Sequence, residues 1–201
     1  RNCEILYIPK DIVSGDFYWS NVSSNGLLLA ACDCTGHGVP GALMSMINSE
    51  LLNQHIKVSA SVGDLLSMCN DELHARMDKF QRKDGMDICL VNIVGNEVQY
   101  AGANRSLYIK RKATTELEEI KADKMAIGGG TEINYRFKTH ILHLTKGDII
   151  YLTTDGFQDQ FGGEKDKKFS SKRMKELFAG PLASKATLLA EHNQWKGNTE
   201  Q

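Results

Sequence analysis

A layered α+β fold is what this chain predicts, on three observations. Its first third runs through strand-like stretches into a long helical segment, residues 87–154 turn to short apolar strands, and helical spacing returns toward the end. With no internal repeat or low-complexity tract, helices grouped against strands imply stacked layers around a shared core.

The elements follow in order. Strands are expected over residues 3–8, 16–22 and 26–32, then a helix from Pro40, with Gly38 at its cap, Pro40 in the first turn, and Leu43, Met46, Ile47, Glu50 and Leu51 recurring at helical spacing. Ser61 and Asp64 give a second helix a capping-box-like start, and Leu65, Leu66, Cys69, Leu73, Met77 and Phe80 form its apolar face. Short strands are expected over residues 88–94, 97–101, 107–111, 135–144 and 148–154, with tight turns at Gly95-Asn96 and Lys146-Gly147-Asp148. Met174, Leu177 and Phe178 close a helix before Gly180-Pro181, and Ser184 caps another carrying Leu188, Leu189, His192 and Trp195.

With 201 residues, 41% hydrophobic content and a mean hydropathy of -0.33, the chain can bury a sizeable core, read as one domain over residues 1–201. A formal net charge of -1 and the lack of any basic stripe argue against nucleic acid or an anionic membrane surface as partner. Five cysteines are an odd number, and Cys32, Cys34 and Cys89 lie in apolar runs, so free buried thiols in a reducing cytoplasm are expected. No window approaches the ~18 apolar residues of a membrane helix, and no signal-peptide pattern opens the chain. The start without Met and the polar end lead us to expect a piece of a longer protein.

Two apolar strands run straight into an aspartate and a glycine-containing turn, at Asp33 before Cys34-Thr35-Gly36-His37-Gly38 and at Asp155 before Gly156; a third carboxylate, Asp16, follows Ser14-Gly15. Aspartates fixed at strand ends beside glycine suit a hard divalent cation, Mg²⁺ or Mn²⁺, held by oxygen ligands. With Asp33 bridging two ions and Asp16 and Asp155 on either side, a bound water would be acidified for in-line attack on phosphorus. The backbone of residues 34–38 and the helix start near Val39 would favour an anion at the same place. Each Asp-Gly pair is equally well a simple turn, and the pattern alone names no substrate.

Asp11-Ile12-Val13-Ser14-Gly15-Asp16-Phe17-Tyr18, the run from Asp33 to Ala42, Tyr100-Ala101-Gly102-Ala103-Asn104, and Lys146-Gly147-Asp148 through Thr154-Asp155-Gly156 resemble, in order, the motifs of the SpoIIE-type bacterial branch of type 2C metal-dependent Ser/Thr protein phosphatases. That resemblance implies a four-layer α-β-β-α sandwich with a two-metal site at one end of the sheets, hydrolysing phosphoserine or phosphothreonine on a protein through a metal-bound water. By motif, Asp33 would bridge both ions, Cys34 would offer its backbone carbonyl, Asp155 would hold one ion, and Asp16 would be a ligand or stand directly behind one. A soft Cys34 thiolate is a poor ligand for either metal. Family members carry a further strand with a metal-binding aspartate, often Asp-Asp. No counterpart follows Asp166 here, so the C-terminal strand is expected to be missing and at least one ion to bind weakly. In relatives the substrate is often a phosphoserine on an anti-sigma-factor antagonist, and regulatory domains accompany the catalytic one; homodimerisation stays open.

Lesser candidates carry two readings each. Asp159 resembles a position assisting an additional metal ion, or lies in a mobile loop over residues 158–163. His37 can donate a proton to the leaving serine oxygen, or only pack its turn. Asp87 can stand behind the metal ligands, though a turn residue opening a strand is the favoured account. Asn104 suits a left-handed turn. Lys121, Lys124 and the basic cluster over residues 165–173 can meet an acidic phosphoprotein, or be solvated surface. Cys32 and Cys34 with His37 hint at zinc, but strand alternation sends both cysteines toward apolar neighbours. An aspartyl-phosphate route needs an Asp-x-Asp pattern that Asp33-Cys34-Thr35 lacks. The rival to a phosphatase is a catalytically impaired module of the same fold that binds proteins in signalling.

Overall fold

The computed structural model describes residues 2–23, 26–77, 84–114, 116–180 and 184–199. Its larger antiparallel sheet has the order β1 (Asp16–Ser23), β2 (Gly26–Cys34), β3 (Gly85–Val94), β4 (Glu97–Ala103) and β8 (His140–His143), with the short β7 (Ile127–Gly128) beside β3. A second sheet has the order β6 (Leu117–Ile120), β5 (Leu107–Lys110) and β9 (Ile149–Tyr151), and β10 (Phe161–Gly162) pairs with β11 (Lys167–Lys168). The helices are α1 (Gly38–His55), α2 (Val62–Met77), the single turn α3 (Gly156–Asp159), α4 (Ser171–Ala179) and α5 (Lys185–Lys196).

Three apolar clusters show the layer order. Ile88 and Leu90 of β3 pack with Leu51 and Leu52 of α1 and Leu65, Leu66 and Leu73 of α2. The alternate residues Cys89, Val91 and Ile93 face the other way, onto Leu107 and Ile109 of β5. β3 is therefore apolar on both faces, which explains its unbroken hydrophobic run. On the far side of the second sheet Tyr108 and Tyr151 pack against Met174 and Phe178 of α4, with Leu188 and Trp195 of α5 at the edge. This is the α-β-β-α order of the type 2C phosphatase fold, and no helix among the described residues is long and apolar enough to cross a membrane.

Several elements differ from expectation, each for a local reason. Residues 3–8 form no strand; Tyr7 and Glu4 instead use side chains, the Tyr7 hydroxyl donating to the Asp16 carbonyl and the Glu4 carboxylate accepting from the Lys185 N–H. In α1 the inward face is Gly41, Met44, Asn48, Leu51 and Leu52, and Leu43 and Met46 are exposed. A glycine and an asparagine at core positions carry no hydropathy signal, so of the expected stripe Leu51 is buried and Ile47 packs against the core, while Leu43 and Met46 face out. Residues 135–139 stay out of the sheet because the Phe137 and Lys138 N–H groups bond to Ser67 Oγ and Asp123 Oδ2 rather than to a strand. Within residues 158–163, Gln158 and Asp159 end α3, and Phe161 and Gly162 form β10. In α5 only His192 is buried, and Leu189 faces solvent. Phe80 and Pro181 lie outside the described residues.

The second helix begins as expected: Ser61 Oγ accepts the Asp64 N–H, and the Asp64 carboxylate accepts the N–H of Ala60. Among the described residues all five cysteines are free; Cys32, Cys34, Cys69 and Cys89 are buried and Cys3 is exposed.

Candidate metal centre

Strand register assembles the acidic cluster. Asp16 in β1 is the partner of Asp33 in β2, and Asp33 is the partner of Asp87 in β3. Opposed residues share a face, so three carboxylates stand in a row at one end of the larger sheet. Asp155 comes from beyond β9, where it is the N-cap residue of α3, yet its side chain makes no capping bond.

That side chain turns to Arg105. One guanidinium nitrogen, Nη2, lies 2.6 Å from Asp33 Oδ2, 2.6 Å from Asp155 Oδ2 and 2.9 Å from Asp87 Oδ2. A tight turn aims the arginine: Asn104 takes a left-handed φ of 56°, the Arg105 N–H bonds to the Ala103 carbonyl, and the Arg105 carbonyl accepts from the Tyr100 hydroxyl. Asn104 is more than a turn residue, because its Nδ2 donates to Asp87 Oδ1 at 2.8 Å. Asp16 completes the group: it faces Asp33 across β1 and β2, and the Thr154 and Asp33 side chains act on its carboxyl.

The electrostatics follow from crowding. Burial raises the Asp33 carboxyl above the usual carboxylate range, and the neighbouring Asp155 and Asp16 charges push it further, with Arg105 opposing them. Burial likewise raises Asp16. For Arg105 burial works against the charge, but the attraction of Asp155 and Asp33 outweighs it and the guanidinium is held more firmly protonated than usual.

Glycines let the backbone bring these carboxylates together. A Cβ on Gly15 would lie 2.6 Å from the Gly36 carbonyl oxygen and 2.8 Å from that of Cys34, and one on Gly41 would lie 2.4 Å from the Gly36 oxygen. The approach to β1, the β2–α1 turn and the first turn of α1 thus touch backbone to backbone, and Gly36 itself needs its φ of 95°. Thr35 ties the cluster's other side: its Oγ1 accepts from the Gly85 N–H at 3.0 Å and donates to the Gly85 carbonyl at 3.2 Å.

The expected site residues divide. Asp16, Asp33 and Asp155 meet. Asp87, read as a residue opening a strand, lies within β3 and joins them. The Cys34 thiol is buried in the helix-side core, where Asn48 Nδ2 donates to it at 3.4 Å, and burial pushes its ionisation up to about 12; only its carbonyl, against Gly15, borders the cluster. His37 is the N-cap residue of α1, its side chain 88% exposed and 3.8 Å from Asp11. Asp159 pairs with Lys168 at 2.8 Å. Arg105 is the residue sequence reasoning missed; its signal is its position directly after Tyr100-Ala101-Gly102-Ala103-Asn104.

The donor set suits a hard divalent cation: all carboxylate oxygen, no thiolate, negative charge in excess and already gathered around a positive nitrogen. Among the described residues no group of three or more His, Cys, Asp or Glu side chains is spaced to hold a metal as it stands. A cleft of about 410 Å³ opens beside Asp33 and Asp87, with Thr35 and Lys124 on its walls.

Known proteins resemble this chain in sequence and in fold. The family described as Stage II sporulation protein E (SpoIIE) matches residues 23–194. Phosphoserine phosphatase RsbU of Bacillus subtilis (strain 168) is 28% identical over 159 residues, 75% of this chain and 44% of RsbU, so the chain spans less than half of that relative. The solved SiaA-PP2C domain of Pseudomonas aeruginosa superposes with a TM-score of 0.86 at 30% identity, covering 98% of this chain and 80% of the domain. The PP2C phosphatase domain structure of SpoIIE from Bacillus subtilis gives a TM-score of 0.74 at 17% identity, over 94% of this chain and 56% of that one, a likeness of fold. Matched over most of its length by the family, and 30% identical to a PP2C domain across nearly all of it, this chain belongs to the SpoIIE family of PP2C-type serine phosphatases.

Proposed function

We propose that this chain hydrolyses phosphoserine or phosphothreonine on a protein substrate with the help of Mg²⁺ or Mn²⁺. The observation that carries this reading is the meeting of Asp16, Asp33, Asp87 and Asp155, from four segments of chain, beside a cleft that Asp33 and Asp87 line. When bound, two ions supply the Lewis acidity that makes water nucleophilic near neutral pH and offsets charge on phosphoryl oxygens.

Asp33, flanked by Asp16 and Asp87 in register and by Asp155 through Arg105, is the residue for the bridging role; Asp16 and Asp155 would hold one ion each, with the Cys34 carbonyl beside them. Asp159 would serve a further ion only by giving up Lys168. His37, exposed ahead of α1, is the group we assign to protonate the departing serine oxygen. Residues 1–201 would act as one catalytic domain of a longer cytoplasmic signalling protein with regulatory domains; the likeness to RsbU, a phosphoserine phosphatase, supports a phosphoserine substrate, and an anti-sigma-factor antagonist is our candidate.

A second reading, a phosphatase fold kept as a binding module, draws on Arg105, whose guanidinium pairs with Asp33, Asp87 and Asp155 at once. Mn²⁺-dependent hydrolysis of p-nitrophenyl phosphate and a phosphoserine peptide separates the two. Turnover that disappears in Asp33→Asn is the expected result, and no turnover at any Mn²⁺ concentration would favour the binding module.

A further inference from the structure

We infer that Arg105 is a resident cation of the acidic centre that a divalent ion must displace, so that this side chain sets the protein's metal affinity. The inference rests on reading the cluster as a metal centre. Its basis is the way the guanidinium is held. A single nitrogen makes all three carboxylate contacts, to Asp33, Asp87 and Asp155. The remaining group on the stem side, Nε, is buried without a hydrogen-bond partner. An arginine fixed for structure uses its planar fork, spreading parallel N–H groups over its acceptors and leaving few buried donors unpaired. Arg105 instead places one positive point where three anions from separate segments converge and forgoes the bond at Nε, at the cost a buried unpaired donor carries.

Two features favour withdrawal. Arg105 follows the left-handed Asn104 in the turn between β4 and β5, and the cleft beside Asp33 and Asp87 offers space next to the centre. Occupation by both cations is disfavoured, because a guanidinium in contact with the same oxygens would stand against a divalent ion at close range. The metal-free, arginine-in state is then a competitor, and apparent metal affinity is reduced by the fraction of molecules in it.

The test compares the whole chain with Arg105→Gln and Arg105→Lys, stripped with chelator and titrated with Mn²⁺ by calorimetry. Arg105→Gln is expected to bind about tenfold or more tightly, the change that ~1.4 kcal/mol of removed competition gives, and Arg105→Lys to stay near wild type. In chelator Arg105→Gln should melt below wild type, and Mn²⁺ should bring the two together, which a merely structural arginine would not do. Equal or weaker Mn²⁺ binding by Arg105→Gln, with binding abolished in Asp33→Asn, overturns this inference and leaves the metal centre standing. Absence of saturable Mn²⁺ binding in every variant overturns both. Should Arg105→Gln fail to fold, the wild type decides: the Arg105 Nε–H signal in nitrogen-15 NMR, identified by its loss in Arg105→Lys, should shift along the Mg²⁺ binding curve. A signal unmoved at saturating Mg²⁺ overturns the proposal.

Discussion

Asp16 and Asp33 oppose one another across β1 and β2, and each carboxyl perturbs the other. Such a pair needs either a shared proton or a nearby cation, and the 2.6 Å contact of Arg105 with Asp33 offsets only part of the repulsion, since the Asp33 carboxyl is still raised. Asp33→Asn removes the repulsion while keeping the shape. We expect the variant to lose at least ~10²-fold in hydrolysis, on the scale of one lost electrostatic contact to a reacting group. Its melting temperature in chelator should be equal to or above that of wild type, and added Mn²⁺ should no longer raise it. Thermal scans with and without Mn²⁺ check this; a retained Mn²⁺ shift would remove Asp33 from the centre.

Gly41 lies inside α1, where alanine would ordinarily be preferred by about 1 kcal/mol. Here a Cβ would come within 2.4 Å of the Gly36 carbonyl oxygen, a backbone atom that cannot step aside without moving the turn after Asp33. Gly41→Ala is therefore expected to destabilise the protein by roughly 1–3 kcal/mol, the range of overpacked sites. Gly130→Ala meets no atom within 4 Å and tests a positive φ alone. Urea melts of both variants check the prediction; a Gly41→Ala protein more stable than wild type would mean that helix propensity outweighs the contact.

Where local pattern and tertiary context agree, the sequence was readable. β2 and β3 are legible as apolar runs, Asp33 as a carboxylate at the end of β2 and Asp155 as one that follows β9, because strand alternation and Asp-Gly turns are local signals. What the sequence hides is pairing. That Asp87 faces Asp33 follows from the register of β2 on β3, which no window of either strand contains. Arg105 escapes for the same reason, since its partners lie 72, 18 and 50 residues away along the chain. The inward face of α1 misleads because Gly41 and Asn48 are core residues through close packing and a side-chain bond, Asn48 Nδ2 to the Met44 carbonyl, rather than through hydrophobicity.

Thr35 and Gly85 stand two residues from Asp33 and Asp87 respectively, so their paired bonds hold the spacing of those carboxylates. Thr35→Val keeps the shape and strands the Gly85 N–H. A loss of ~1–3 kcal/mol is expected, the cost of an unsatisfied buried donor. Mn²⁺ affinity should fall with it, and Thr35→Ser should restore both. Calorimetric titration beside thermal melts checks this; unchanged affinity in a destabilised Thr35→Val would confine Thr35 to a structural role.

Asp148 gives the Lys146-Gly147-Asp148 turn a second purpose. Its Oδ1 accepts from the Lys112 N–H at 2.9 Å and the Thr145 hydroxyl at 3.1 Å, and its Oδ2 from the Thr145 N–H and Arg111 Nη1, both at 3.0 Å. Burial alone would raise this carboxyl, but the Thr145 and Lys112 N–H groups and the Arg111 guanidinium outweigh it and hold it at about 2. Because the folded value lies below the ordinary one, the ionised form favours folding: the contribution is complete above pH ~4 and is lost as pH falls through about 2. Asp148→Asn keeps one acceptor oxygen and loses the charge, so it should cost about 1–2 kcal/mol at pH 7. The gap to wild type should close between pH ~4 and ~2. Urea melts at pH 7, 4 and 3 check both the size and the direction; a gap that is constant over this range would assign the loss to shape rather than to charge.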